Sequence, residues 1–165
     1  MKVWIRADGN EHIGTGHVMR CLAIAEALEA AGVQVCFVMA DDAAAKLVKS
    51  RGKKVRILHT RYDHMEEELP VLTAVMEEEH PDMLLIDSYY VSDAYLEQLT
   101  GQVWTAYIDD KSFYSYPVNM IINYNIYGDR SLYHPEPAYS LMGAAYAPLR
   151  PEFRNVEYHV REQVE

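Results

Sequence analysis

Apolar residues along the chain come in short runs, separated by stretches in which they recur every three or four positions. That pattern predicts strands alternating with helices. Val3–Ala7 reads as a first strand, closed by a polar, glycine-containing turn over Asp8–Thr15. A helix is predicted from near Gly16, with Val18, Cys21, Leu22, Ala25 and Leu28 on one face and Gly32 placed to stop it. Val33–Met39 is a second strand, and Asp41 and Asp42 are the expected caps of a second helix reaching to about Arg51. Lys54–Leu58 makes a third strand. The helix expected over Met65–Glu79 contains Pro70, tolerable only near the first turn or as a kink. Met83–Asp87 is almost uniformly apolar, as a strand buried on both faces should be. Ser92 or Asp93 then caps a helix to Leu99, Gly101 stops it, and Val103–Ile108 and Val118–Asn123 read as two more strands.

This alternation predicts an α/β fold, a Rossmann-like parallel sheet with helices on both faces. Beyond Tyr124 the pattern thins. Pro135, Pro137, Pro148 and Pro151 punctuate a stretch whose apolar run at Tyr139–Met142 suggests a connector with a short strand. The expected organisation is a Rossmann-like catalytic domain over residues 1–145, with 146–165 as a hinge and the start of a further, nucleotide-binding domain.

Charge narrows the function classes. The net charge of −10 argues against nucleic acid as the main partner, because phosphate backbones need a basic face. Glu66–Glu68 and Glu77–Glu79 read as a solvated helix face. Cys21 and Cys36 sit in apolar patterns and read as buried free thiols of a reducing compartment, without metal-ligand spacing. No apolar stretch approaches the ~18 residues of a membrane span, and Met1-Lys2-Val3-Trp4 runs straight into a strand with no signal peptide. A cytoplasmic protein without membrane insertion is expected. The 13 tyrosines either line a sugar cleft or serve as half-buried packing.

In parallel α/β sheets ligands sit beyond the carboxyl ends of the strands. The polar residues placed there are Asp8 to His17, Asp87 to Tyr90, Asp109 to Lys111 and Asn123 to Asn125. Gly14-Thr15-Gly16-His17 stands out, since its glycines allow a tight turn with amides facing an anion at a helix N-terminus. It matches neither a Walker loop nor a dinucleotide fingerprint. His17 falls in the first helical turn, where the dipole favours neutral imidazole, the form a general base requires; otherwise it caps the helix or fills a polar corner. Arg20, one turn on, either awaits an anionic partner such as phosphate or pairs with a nearby carboxylate. Arg6, inside the first strand, is an edge feature or an internal ion pair. Asp87 is an acid, base or orienting group, or a cap for the next helix. Asp109-Asp110 lacks the further ligands that a metal would need.

The block Ile5-Arg6-Ala7-Asp8 through Ile13-Gly14-Thr15-Gly16-His17-Val18-Met19-Arg20-Cys21-Leu22 resembles the PseG/SpsG family of nucleotide-sugar hydrolases, of pseudaminic acid and spore-coat polysaccharide biosynthesis. Leu85-Ile86-Asp87-Ser88-Tyr89, Ile108-Asp109-Asp110, Ile121-Ile122-Asn123 and Tyr146 to Phe153 agree with it in order. That family is similar to the two-domain GT-B glycosyltransferases such as MurG. The resemblance implies hydrolysis of a UDP-linked diacetamido-trideoxy sugar, with His17 as the catalytic residue activating water and no cofactor or metal. It further implies substrate contacts from Arg6, Asp8, Gly14, Thr15, Gly16 and Arg20, a second wall from Asp87 and Tyr89, and Arg150 at the hinge beside the nucleotide. Asp109 and Asn123 join them as crevice residues. The family's C-terminal nucleotide-binding half is the partner expected for this chain, which alone is expected to be inactive and prone to self-association.

Overall fold

Strand β1 (Lys2–Ala7) occupies the middle of a seven-stranded sheet in the order β3-β2-β1-β4-β5-β6-β7, all neighbours parallel. The structure is a computed structural model and describes residues 1–111 and 116–153. The remaining strands are β2 (Gln34–Met39), β3 (Lys54–Ile57), β4 (Met83–Asp87), β5 (Trp104–Ile108), β6 (Met120–Asn123) and β7 (Tyr139–Met142). They are joined by helices α1 (Gly16–Ala30), α2 (Ala45–Ser50), α3 (Met65–Glu79) and α4 (Asp93–Thr100).

The alternation of side chains along each strand divides the core in two. Val3, Ile5, Phe37 and Leu85 pack on one face with Val18, Cys21, Leu22 and Ala25 of α1 and Val48 of α2. Trp4, Val38, Leu84 and Ile86 pack on the other with Leu69, Leu72 and Met76 of α3 and Leu96 and Leu99 of α4. This is the Rossmann-like sheet that the strand-helix alternation predicts. Its order reverses at β1, which pairs with both β2 and β4, and the crevice beyond their carboxyl ends is where such folds bind ligands.

Three local expectations change. Tyr139–Met142 is no connector strand: it pairs with β6 from Met120↔Tyr139 to Asn123↔Met142, so the chain beyond Tyr124 completes the sheet. Its half-exposed edge position leaves only a weak apolar signal. Helix α2 begins at Ala45 rather than at the aspartates, because Asp41 accepts the Ala43 N–H within the preceding turn. Glu68 does not share the solvated face of its neighbours. It is fully buried, facing Arg6, while Glu66, Glu67, Glu77 and Glu78 are exposed. Pro70 stands in the second turn of α3. Ser92 caps α4 as expected, accepting from the Tyr95 N–H.

Cys21 is buried and Cys36 partly buried, both as free thiols. No helix among the described residues is long and apolar enough to cross a membrane.

Candidate active site

The loop from β1 to α1 is shaped by its own short-range bonds. Asn10 Oδ1 accepts the N–H groups of His12 and Ile13, and the Asn10 N–H donates to the Gly14 carbonyl. Gly14 takes φ +68°, a left-handed conformation that a residue with a side chain adopts only under strain. Gly14, Thr15 and Gly16 are exposed at the rim, and no side chain caps the helix they start. One residue into α1, the chain turns His17 inward; it is 6 % exposed.

His17 Nδ1 lies 2.6 Å from Asp87 Oδ1 at the end of β4. Asp87 is fully buried and accepts from Arg20 at both oxygens, from Nε to Oδ2 at 2.5 Å and from Nη2 to Oδ1. Burial raises the Asp87 pKa, but hydrogen bonds from Arg20 and His17 outweigh it and leave the carboxyl below the usual carboxylate range. A carboxylate at this distance fixes the imidazole tautomer: Nδ1–H donates to Asp87, and Nε2 carries the free lone pair. Arg20 Nη2 also lies 3.0 Å from Nδ1, but it donates to Asp87, so that contact is not a second hydrogen bond to the ring. Among the described residues nothing bonds to Nε2.

Tyr89 closes this cluster. Its ring meets the His17 ring edge-on with centroids 4.6 Å apart, and its hydroxyl donates to Asp110 Oδ2 at 2.7 Å. Asp110 Oδ2 also accepts from Arg20 Nη1 at 2.7 Å, and Arg20 Nη1 reaches the Tyr124 hydroxyl at 2.6 Å. Burial, reinforced by Asp110, pushes the Tyr89 phenol up to about 12, so it stays protonated at neutral pH. Lys111 Nζ sits over that ring, 4.2 Å from its centroid, and pairs with no carboxylate among the described residues. Lys111 closes the polar stretch that the sequence places beyond the fifth strand.

Several residues expected to touch substrate are instead internal. Arg6 is fully buried: its guanidinium donates to both Glu68 oxygens at 2.7 Å and to Asp8. Asp8 also accepts the Ala40 N–H at 2.8 Å, tying the ends of β1 and β2 together. Asp109 accepts from the Tyr133 hydroxyl at 2.7 Å and the Lys111 N–H at 2.9 Å. Asn123 is buried, donates to the Tyr133 hydroxyl and accepts from Asn125. Each of these buried groups has hydrogen-bond partners inside the protein. Arg20 is likewise neutralised by Asp87 and Asp110, not left for a phosphate. Asp87 stands behind His17 rather than on a wall of the pocket. Arg150 is exposed over the Phe153 ring, 4.7 Å to its centroid, and none of its described contacts reaches the His17 cluster.

His17, Asp87, Arg20, Tyr89 and Asp110 are therefore the residues that the fold brings together. No metal-binding group of His, Cys, Asp and Glu occurs among the described residues. Chemically the arrangement could serve as a base with its orienter: an imidazole held at Nδ1 by a buried carboxylate, with a tyrosine packed against its ring.

A Rossmann-like domain with a histidine–carboxylate pair at its switch point is the class defined by fold and site. The solved structures most like it include MurG of Acinetobacter baumannii, with a TM-score of 0.56, 14% identity, and 74% of this chain aligned to 41% of that one. The spinosyn rhamnosyltransferase SpnG, alone and with spinosyn aglycone, gives a TM-score of 0.51 at 14% identity over 66% of this chain and 34% of that one. The likeness is one of fold, the Rossmann-like domain of GT-B glycosyltransferases, and this chain spans less than half the length of each. No family model matches the sequence, and no curated protein is detectably similar to it.

Proposed function

We propose that this chain is the N-terminal, catalytic-histidine half of a nucleotide-sugar hydrolase that cleaves a UDP-linked diacetamido-trideoxy sugar. The observation that carries this reading is His17 itself, with Nδ1 committed to Asp87 and Nε2 unpartnered among the described residues. In the proposed step Nε2 takes a proton from water while the water oxygen bonds to the anomeric carbon. The bond from that carbon to the diphosphate oxygen breaks, and its electron pair leaves with UDP. The imidazolium so formed is stabilised by Asp87, whose charge Arg20 holds in place. Lys111 offers an ammonium group to hold the diphosphate of the bound substrate, and the backbone of the exposed Gly14–Gly16 turn offers donors to the same anion. The remainder of the nucleotide falls to a C-terminal half, with Arg150 at the hinge between the two.

A second reading, sugar transfer to an acceptor, is favoured by the presence of a rhamnosyltransferase among the solved neighbours. The same His17 would then deprotonate an acceptor hydroxyl in place of water, since fold alone does not choose between them. Release of UDP, followed by phosphorus NMR, separates the two. The chain is assayed alone, with the C-terminal half of a PseG/SpsG family member in trans, and with His17→Ala. Hydrolysis predicts acceptor-independent release that needs the second half and falls by at least about 10²-fold in the variant. Release that appears only when an acceptor is added would assign the chain to the transferases.

A further inference from the structure

The acidic residue in the crevice is not the one that the sequence singles out. Of the Asp109-Asp110 pair, Asp109 turns inward to Tyr133, whereas Asp110 reaches the His17 cluster with a side chain 17% exposed. A single oxygen of Asp110 accepts two hydrogen bonds at 2.7 Å, one from Arg20 Nη1 and one from the Tyr89 hydroxyl. Both donors belong to residues that lie against the His17 ring. Arg20 grips the carboxylate behind the imidazole, and Tyr89 packs edge-on against its ring.

Asp110 is itself held. Its carbonyl accepts from the Asn125 amide and the Tyr127 hydroxyl, both at 3.3 Å, so the loop after β6 braces the loop after β5. The groups facing His17 are Asp87 from β4, Arg20 from α1 and Tyr89 from the loop after β4. Asp110 and Lys111 from the loop after β5, Tyr124 from the end of β6 and Cys21 from α1 stand one contact further out.

We infer that Asp110 is a positioning residue for His17: one carboxylate oxygen clamps both the arginine that holds the buried Asp87 carboxylate and the tyrosine that packs against the imidazole. The physical reason is geometric. An imidazole bonded at one nitrogen can still swing about that bond, and a ring packed on its edge removes that freedom only while it is itself fixed. Tyr89 is 45% exposed, so without the bond to Asp110 its ring has solvent to turn into. Misplacement of a reacting group by about 1 Å can cost on the order of 10²-fold in rate.

The inference rests on the proposed role of His17 only for its kinetic consequence; the clamp is testable without any reaction. Ring cross-peaks between His17 and Tyr89, and the imidazole nitrogen shifts that report the tautomer, are measured by NMR on the chain and on Asp110→Ala, Asp110→Asn and Tyr89→Phe. Asp110→Ala is expected to lose the cross-peaks while the Nδ1–H tautomer, set by Asp87, persists. Asp110→Asn keeps an oxygen for both donors and is expected to rescue them, and Tyr89→Phe, which keeps the ring but not the hydroxyl, is expected to weaken the cross-peaks.

With the C-terminal half supplied, kcat for UDP release is expected to fall by about 10- to 100-fold in Asp110→Ala with KM nearly unchanged. Cross-peaks identical to wild type in Asp110→Ala would overturn the inference. Should that variant fail to fold, Tyr89→Phe with unchanged cross-peaks between the two rings overturns it equally. Lost cross-peaks in a protein that releases no UDP even as wild type would uphold the clamp and count against the hydrolase reading alone.

Discussion

Two arginines, Arg6 and Arg20, each sit between two carboxylates, and the contrast between them separates structure from chemistry. Both guanidiniums titrate well above their usual range although burial opposes the charge, because paired carboxylates more than offset the desolvation. Around Arg6 every partner is inside. Glu68 receives two bonds from the arginine and one from the Tyr95 hydroxyl, and Asp8 turns its other oxygen to a backbone amide. Around Arg20 the same kind of pairing ends on a histidine with one nitrogen uncommitted among the described residues and a half-exposed tyrosine beside it. A satisfied ion pair binds elements together; one that stops a bond short at a crevice becomes a site.

The sharpest way to break this contrast is to remove one carboxylate from each cluster. Asp87→Asn is expected to lower kcat for UDP release by on the order of 10³-fold with little change in KM, since the imidazole loses its tautomer and its counter-charge. Steady-state kinetics with the C-terminal half present checks this. Glu68→Ala is expected to do the reverse. It strands Arg6 without its main partner and costs about 3–5 kcal/mol in denaturant unfolding, while the activity of the molecules that stay folded is retained.

A smaller effect follows from pH. The Asp87 carboxyl is held below its ordinary range in the folded protein, so its ionisation stabilises the fold at every pH above its unfolded pKa of about 4. That contribution is lost as pH falls from about 4 through the lower folded value, and Asp87→Asn should flatten the decline in thermal stability over that window. The smallest expected change is at Lys111. Lys111→Ala should raise KM about fivefold with kcat almost intact, in keeping with roughly 1 kcal/mol from an exposed ion pair to phosphate.

Much of the sheet was legible in the sequence, because strands buried on both faces declare themselves as uniform apolar runs, Met83–Asp87 most plainly. The edge was not: Tyr139–Met142 is too short and too exposed to stand out from a proline-rich stretch. In the site, the position of His17 in the first turn of α1 and of Asp87 at the end of β4 could be read from topology alone. Partnership could not. Nothing local marks Glu68 as the buried member of an acidic run, since its partner Arg6 lies 62 positions away in sequence. The same holds for Arg20, whose carboxylates come from β4 and the loop after β5, and for the choice of Asp110 over Asp109. Neighbouring residues leaving a strand point to opposite sides, and which side faces the crevice depends on the register of β5 against β4 and β6.

The most direct test of His17 as the base that activates water is hydrolysis of the UDP-sugar in water enriched with oxygen-18, with the C-terminal half present. The products are quenched rapidly and weighed by mass spectrometry, for wild type and His17→Ala. Attack at the anomeric carbon predicts label in the free sugar and none in UDP, with both products suppressed in the variant. Label appearing in UDP, or equal turnover by His17→Ala, would contradict it.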